Sequence, residues 1–175
     1  MRNLAAVVLT LGLLAASAVR ADEPPPRGWM LNGNGYQAGL DRQTKHGGVA
    51  SAFLRSGGEG GEFGTLMQMV DATAYRGTRL RLAGYSRAAE VTGWAGFWLR
   101  VDGPAGVLAF DNMQSRPIRG TSPWKRDEIV LDVPPEAKAL AFGVLLAGRG
   151  QVWVDDLRLE TVGQDVAVTA PGQSR

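Results

Sequence analysis

An all-β fold, built as an antiparallel sandwich or barrel, is what the sequence predicts, on three observations. Roughly eight or nine short runs of strand-forming residues recur about every dozen residues, with turn signals between them. The chain carries 24 glycines and 9 prolines in 175 residues, a composition that favours many turns over long helices. No run has a convincing helical period, and no Gly-rich loop of the nucleotide-binding kind precedes a helix.

The two ends are set apart from this pattern. Residues 1–21 have the form of a secretory signal peptide: Arg2 supplies the positive start, Leu4 to Leu14 is a short apolar run, and Ala16-Ser17-Ala18 and Ala21 offer small-residue cleavage sites. The apolar run is short for a membrane span. The expected product is therefore exported, periplasmic or extracellular, with no membrane span after cleavage. There is no cysteine, which excludes disulfides, thiolate chemistry and a lipoprotein anchor. The whole chain has 19 Lys+Arg against 17 Asp+Glu; cleavage after Ala21 removes Arg2 and Arg20 and leaves the charges balanced at 17 and 17. No basic surplus of the nucleic-acid-binding kind remains, so no nucleic-acid partner is expected. Residues 22–27, DEPPPR, read as a Pro-rich spacer, residues 28–162 as the folded domain and residues 163–175 as a flexible tail.

Within the domain the elements follow in order. NGNG at 32–35 is a turn, and 36–45 reads as an irregular strand and loop. Residues 49–55 alternate with apolar or small residues on both sides, as in a strand covered on both faces. SGGEGG is a loop, 65–71 a strand, 72–77 a turn with a short helical piece, and 78–87 a strand with Leu80 and Leu82 on one side. A β-hairpin spans 92–111 around a Gly-Pro turn. Residues 113–124 read as a long loop, and 126–133 as a strand ended by Pro134-Pro135, since proline cannot continue the ladder. Strands at 139–146 and 151–159 close the domain.

The hairpin, TGWAGFWLRVDGPAGVLAFD, carries the candidate site. Side chains alternate faces along a strand, so Ala95, Phe97, Leu99 and Val101 form an apolar face, while Trp94, Trp98, Arg100 and Asp102 share the other. The two indoles on one strand face can stack on sugar rings if exposed, or pack under loops. Arg100 and Asp102 can bond hydroxyl groups or each other. Asp111, Asn112, Gln114 and Arg116 add donors and acceptors where the hairpin runs into its loop, or serve the turn itself. Trp124 either walls that region or plugs the end of the sandwich. Arg79, Arg81 and Arg87, with Tyr85 among them, make a basic stripe that suits an anionic glycan or pairs with nearby acids. His46, beside Gly47 and Gly48, reads as an exposed loop residue.

Taken together, Gly48-Val49-Ala50-Ser51, Gln68, YRGTRLRLAGY at 75–85, Trp124 leading into IVLDVP, and VWVDDL at 152–157 resemble the galactose-binding-like jelly rolls, in particular secreted bacterial carbohydrate-binding modules. The resemblance implies a two-sheet jelly roll with sugar on its concave face and a non-catalytic role. It also implies that jelly rolls of this type sometimes hold a structural calcium near Asp155-Asp156; no other cofactor is expected. Stretches such as FGTLMQ, WAGFWLRVDG and AFDNMQSRPI are similar to a module found beside other domains in bacterial proteins, some of them labelled transcription regulators. The sequence has no helix-turn-helix pattern, so DNA binding is not carried over.

The leading expectation is thus an exported, non-catalytic carbohydrate-binding domain using Trp94, Trp98, Arg100, Asp102, Asp111, Asn112 and Arg116. The first alternative is an envelope interaction module whose tryptophan face docks a protein. The second is a small glycoside hydrolase using Asp102 and Asp111, since that chemistry needs two nearby carboxylates. No catalytic triad or metallopeptidase motif accompanies the lone histidine.

Overall fold

A computed structural model of the chain describes residues 23–58 and 61–170. The signal-peptide pattern lies outside them. The described residues form nine strands: β1 (Met30–Asn32), β2 (Tyr36–Asp41), β3 (Ser51–Ser56), β4 (Gly64–Asp71), β5 (Thr78–Gly103), β6 (Gly106–Asp111), β7 (Ile118–Val133), β8 (Ala139–Ala147) and β9 (Gln151–Val162). The one helical element among the described residues is a 3-10 turn at Thr73–Tyr75. No helix there is long and apolar enough to cross a membrane.

All pairings are antiparallel, and β5 organises them. Its first half pairs with β7 and β9, and its second half with β8 and β6. Layer one therefore runs β1-β4-β8-β5-β6, and layer two runs β2-β3-β9-β5-β7. The sequence suggests a break between residues 87 and 92. The chain instead stays extended and turns the corner through register shifts at Ser86/Ala88, Ala88/Val91 and Val91/Ala95, with Glu90 at φ 55°. Extra residues of this kind bend a strand without ending it. This lets one strand serve both sheets of a β-sandwich.

The core lies between the layers. Layer one contributes Leu66, Phe97, Leu99, Val101, Leu140 and Val144, and layer two contributes Leu54, Leu80, Leu82, Ile129, Leu131 and Val152. These are the inward positions of the period-two pattern. On β3, Phe53 and Leu54 are both buried, so that strand is covered on each face.

Three boundaries differ from the sequence reading. The long loop after the hairpin is short: β7 begins at Ile118. Pro123 is accommodated because it falls where the ladder slips between Ser122 and Lys125, and its missing N–H costs no regular bond. The start of the Pro-rich spacer is attached rather than free, because Leu40 N donates to Glu23 O and Arg42 pairs with Glu23. The tail is docked as far as it is described. Thr169 N donates to Val130 O, Arg79 donates to the Gln164 and Val166 carbonyls, and Ala170 packs against the core.

Candidate functional site

Register places the hairpin residues in lateral rows on the outward side of layer one. Met30, Met67, Gly143 and Trp98 form one row; Met69, Ala141, Arg100 and Phe110 form the next; Asp71, Ala139, Asp102 and Val107 follow. The sequence-predicted face therefore exists, but its two indoles differ. Trp94 is half-buried, and its Cζ3 stands 3.7 Å from where a Cβ on Gly96 would be, so the indole leans along the strand over a glycine. Trp98 is 7% exposed and is not an open stacking surface. Its Nε1 donates to Thr65 Oγ1 at 2.8 Å, and Thr65 in turn donates to Val144 O at 2.9 Å. The indole reaches across β8 to β4, at a row where β8 carries Gly143. A Cβ there would run into the Leu66 carbonyl.

Arg100 and Asp102 are half-buried on the same face and pair with each other, Nε to Oδ1 at 2.9 Å. The polar cluster at the end of the hairpin does not join them. Asp111 pairs in register with Leu99, which puts it on the core side of the sheet, opposite Asp102. The proposed hydrolase pair thus points to two sides of one hairpin, and no glycosidase arrangement results. Asp111 accepts from Met113 N (2.8 Å), Arg116 Nη2 (2.7 Å) and Thr169 Oγ1 (2.6 Å). Burial pushes its carboxyl upward, but those bonds and the Arg116 charge outweigh burial and hold it below the usual carboxylate range. Arg116 also donates to Glu128 O, and Asn112 Oδ1 accepts from Gln114 N to form an Asx turn. These three residues build the corner that ends the hairpin. Asp111 and Arg116 hold each other, and Asn112 shapes the adjoining turn.

The outward side of layer two holds a group that the sequence showed only in part. Tyr85, from the basic stripe, is stacked on His46 with ring centroids 3.5 Å apart and planes 13° apart, and Trp124 meets His46 edge-on at 5.9 Å. The loop that carries His46 is fixed by Asp155, whose Oδ2 accepts from His46 N at 2.8 Å and Gly47 N at 3.0 Å. Asp156 is the extra residue of a bulge on β9, at φ 52°, and its carboxylate faces His46 Nδ1 at 3.3 Å. The acid doublet is therefore committed to the 46–47 loop. Two N–H groups aimed at the Asp155 oxygen do not fit a calcium ligand set, which needs further oxygens there. Among the described residues no group of three or more His, Asp or Glu is arranged to hold a metal ion. The stripe itself is largely paired, Arg79 with Asp132 and Arg81 between Glu128 and Glu160. His46 lies over a hundred residues from Asp155 and Asp156, so only the HGG turn and the DD doublet hinted at this meeting.

Known proteins fit this architecture. No family model matches the chain. In sequence it is 43% identical over 153 residues to the Uncharacterized HTH-type transcriptional regulator YbfP of Bacillus subtilis (strain 168), a match covering 84% of this chain and 52% of that protein. The chain thus spans about half the length of that relative. In structure it is similar to the CBM22-1 xylan-binding domain of Paenibacillus barcinonensis Xyn10C, with TM-score 0.59, 12% identity, and coverage of 81% of this chain and 90% of that one. A second xylan-binding domain from CBM 22 gives TM-score 0.62 at 14% identity, covering 82% and 94%. The Stig cyclase Fisc from Fischerella sp. TAU gives 0.57 at 17% identity, covering 81% and 87%. Carbohydrate-binding modules and a cyclase thus share this β-sandwich. Identities this low establish the fold alone.

Proposed function

We propose that the protein is an exported, non-catalytic binding module that takes carbohydrate on the outward face of layer one. The observation that carries the reading is Trp94: a half-buried indole leaning over Gly96 on a sheet face, with the paired guanidinium and carboxylate of Arg100 and Asp102 farther along the strand. An indole offers an apolar surface to the C–H side of a sugar ring, and a pre-formed Arg–Asp pair offers donors and an acceptor to the hydroxyls of another unit along a polysaccharide chain. The similarity to xylan-binding domains supports the ligand class, and the signal-peptide pattern of residues 1–21 supports export. Trp98 serves here as the fixed floor of the site through its bond to Thr65.

The test is affinity electrophoresis of residues 22–175 in gels containing soluble polysaccharides, xylans among them. Retardation by one polysaccharide, lost in Trp94→Ala, is the expected result. Equal mobility in every gel rejects the reading. A second reading has its own observation. Met30 and Met69, each 48% exposed, and Val107, 55% exposed, belong to the same rows and make this face more apolar than a sugar site requires. Soft, exposed methionines beside aromatics suit a protein partner. Concentration-dependent self-association in light scattering, abolished by Met69→Lys, would favour that reading.

A further inference from the structure

The groove on the outward side of layer two is a second, independently built site, and we propose that it binds a single acidic sugar unit, a hexuronate. Its floor is set by register. Ala83 lies between Glu128 on β7 and Arg158 on β9, flanked along its own strand by Arg81 and Tyr85. One small side chain among four long ones leaves a cavity of about 310 Å³, bounded by His46, Tyr85, Arg126, Asp156, Arg158 and Glu160. That is the low end of ligand-pocket volumes, suited to one ring rather than a chain.

The walls are held in place rather than draped. The Asp155 carboxylate pins the loop at two amides, and this brings His46 flat against Tyr85. The bulge that turns Asp156 into a left-handed conformation aims its carboxylate at the histidine. A non-glycine residue in that conformation costs free energy and persists where the surroundings require it, and bulges commonly re-aim side chains beside binding sites.

The ligand chemistry follows from which groups are left open. Arg126 is bound to Glu128 at 2.6 Å, and Asp156 is engaged by His46. Arg158 has no acid within ion-pair distance among the described residues. Glu160 has only Arg81 Nη1, 3.7 Å away and beyond hydrogen-bond reach, and Arg81 Nε is a buried donor with no acceptor. The open valences are one guanidinium fork and one carboxylate, both on β9 and two residues apart. A ligand that satisfies both brings a carboxylate to Arg158 and a hydroxyl to Glu160, with a ring face for the His46–Tyr85 wall. A sugar acid has those three features in one ring; a neutral sugar leaves the guanidinium without its planar partner.

The experiment is an amide-resolved NMR titration of residues 22–175 with glucuronate and galacturonate, against glucose, galactose and acetate at equal concentration and ionic strength. Saturable shifts from at least one uronate at residues 44–48, 83–85 and 156–160 are expected. Arg158→Gln should weaken them tenfold or more, because a charge-assisted pair is lost. Ala83→Leu, with strand content checked by circular dichroism, should abolish them by filling the floor. Trp94→Ala should leave them unchanged, which separates this site from the one on layer one. Equal shifts from glucose or acetate, uronate shifts that ignore Arg158→Gln, or no shift from either uronate would overturn the proposal.

Discussion

Asp111→Asn removes the charge from a buried carboxylate that ties four parts of the chain together. Asp111 ends β6, caps the turn through Met113 N, holds Arg116, which reaches the Glu128 carbonyl on β7, and anchors Thr169 of the C-terminal segment. Asparagine retains one acceptor but turns an NH2 group toward either the guanidinium or the Thr169 hydroxyl. Breaking a buried charged pair from one side costs about 3–5 kcal/mol. Arg116 is 34% exposed and can rehydrate, so the expected loss is nearer about 2–3 kcal/mol. For a domain of this size that lowers the melting temperature by about 5–10 °C. The pH dependence gives a sharper check. The folded pKa of Asp111 is depressed, so its stabilisation is complete above the unfolded value of about 3.9 and is lost as pH falls toward the folded value. Thermal melts of the native and Asp111→Asn proteins should differ fully at pH 7 and converge as pH falls below about 4. Equal stability at pH 7, or a gap that persists undiminished to pH 2, would refute the reasoning.

Other substitutions probe separate parts of the structure. Trp98→Phe should keep the fold and cost about 1–2 kcal/mol in urea unfolding, through loss of the Nε1 bond to Thr65 and a small void. Gly96→Ala places a methyl 2.9 Å from the Asn112 carbonyl oxygen and 3.0 Å from Met113 Cβ, so it should cost about 1–3 kcal/mol, again read by urea unfolding. Asp155→Ala releases the amides of His46 and Gly47; it should lower stability by about 1–2 kcal/mol and shift the His46 ring protons downfield in NMR as the ring leaves the Tyr85 face.

Much of the fold was legible from alternation alone. Phe97, Leu99 and Val101, and Ile129, Leu131 and Val133, are buried as period two requires. Alternation names a face but not its depth. It put Trp94 and Trp98 on one side correctly, yet the burial of Trp98 depends on Thr65, 33 residues earlier and two strands away. The same limit separated Asp102 from Asp111. The register shift between the Val101–Ala109 and Asp102–Val107 pairs, with Leu108 as the extra residue, leaves Asp111 on the core side, and no local signal showed it. The continuity of β5 was hidden because a bulged corner has no Gly-Pro signature, whereas Pro117, Gly120 and Pro123 imitated a loop where β7 in fact runs. The His46–Tyr85 groove was least legible, since each member has an ordinary local explanation and only tertiary register assembles them.

The continuous β5 also has a mechanical meaning. A sandwich whose sheets are joined only by loops can loosen one sheet while the other holds. Here the two halves of one continuous strand are built into the two sheets, each half paired on both edges, so slippage in layer one has to drag the ladder of layer two with it. The two sheets are thereby expected to melt as one unit, and a chain break engineered at residues 89–90 should cost far more than a break in any surface turn. Trp94 and Tyr85 sit nine positions apart on that strand, one on each side of the corner. The two outward faces are thus set at a fixed angle by the backbone itself, like two blades forged from one bar.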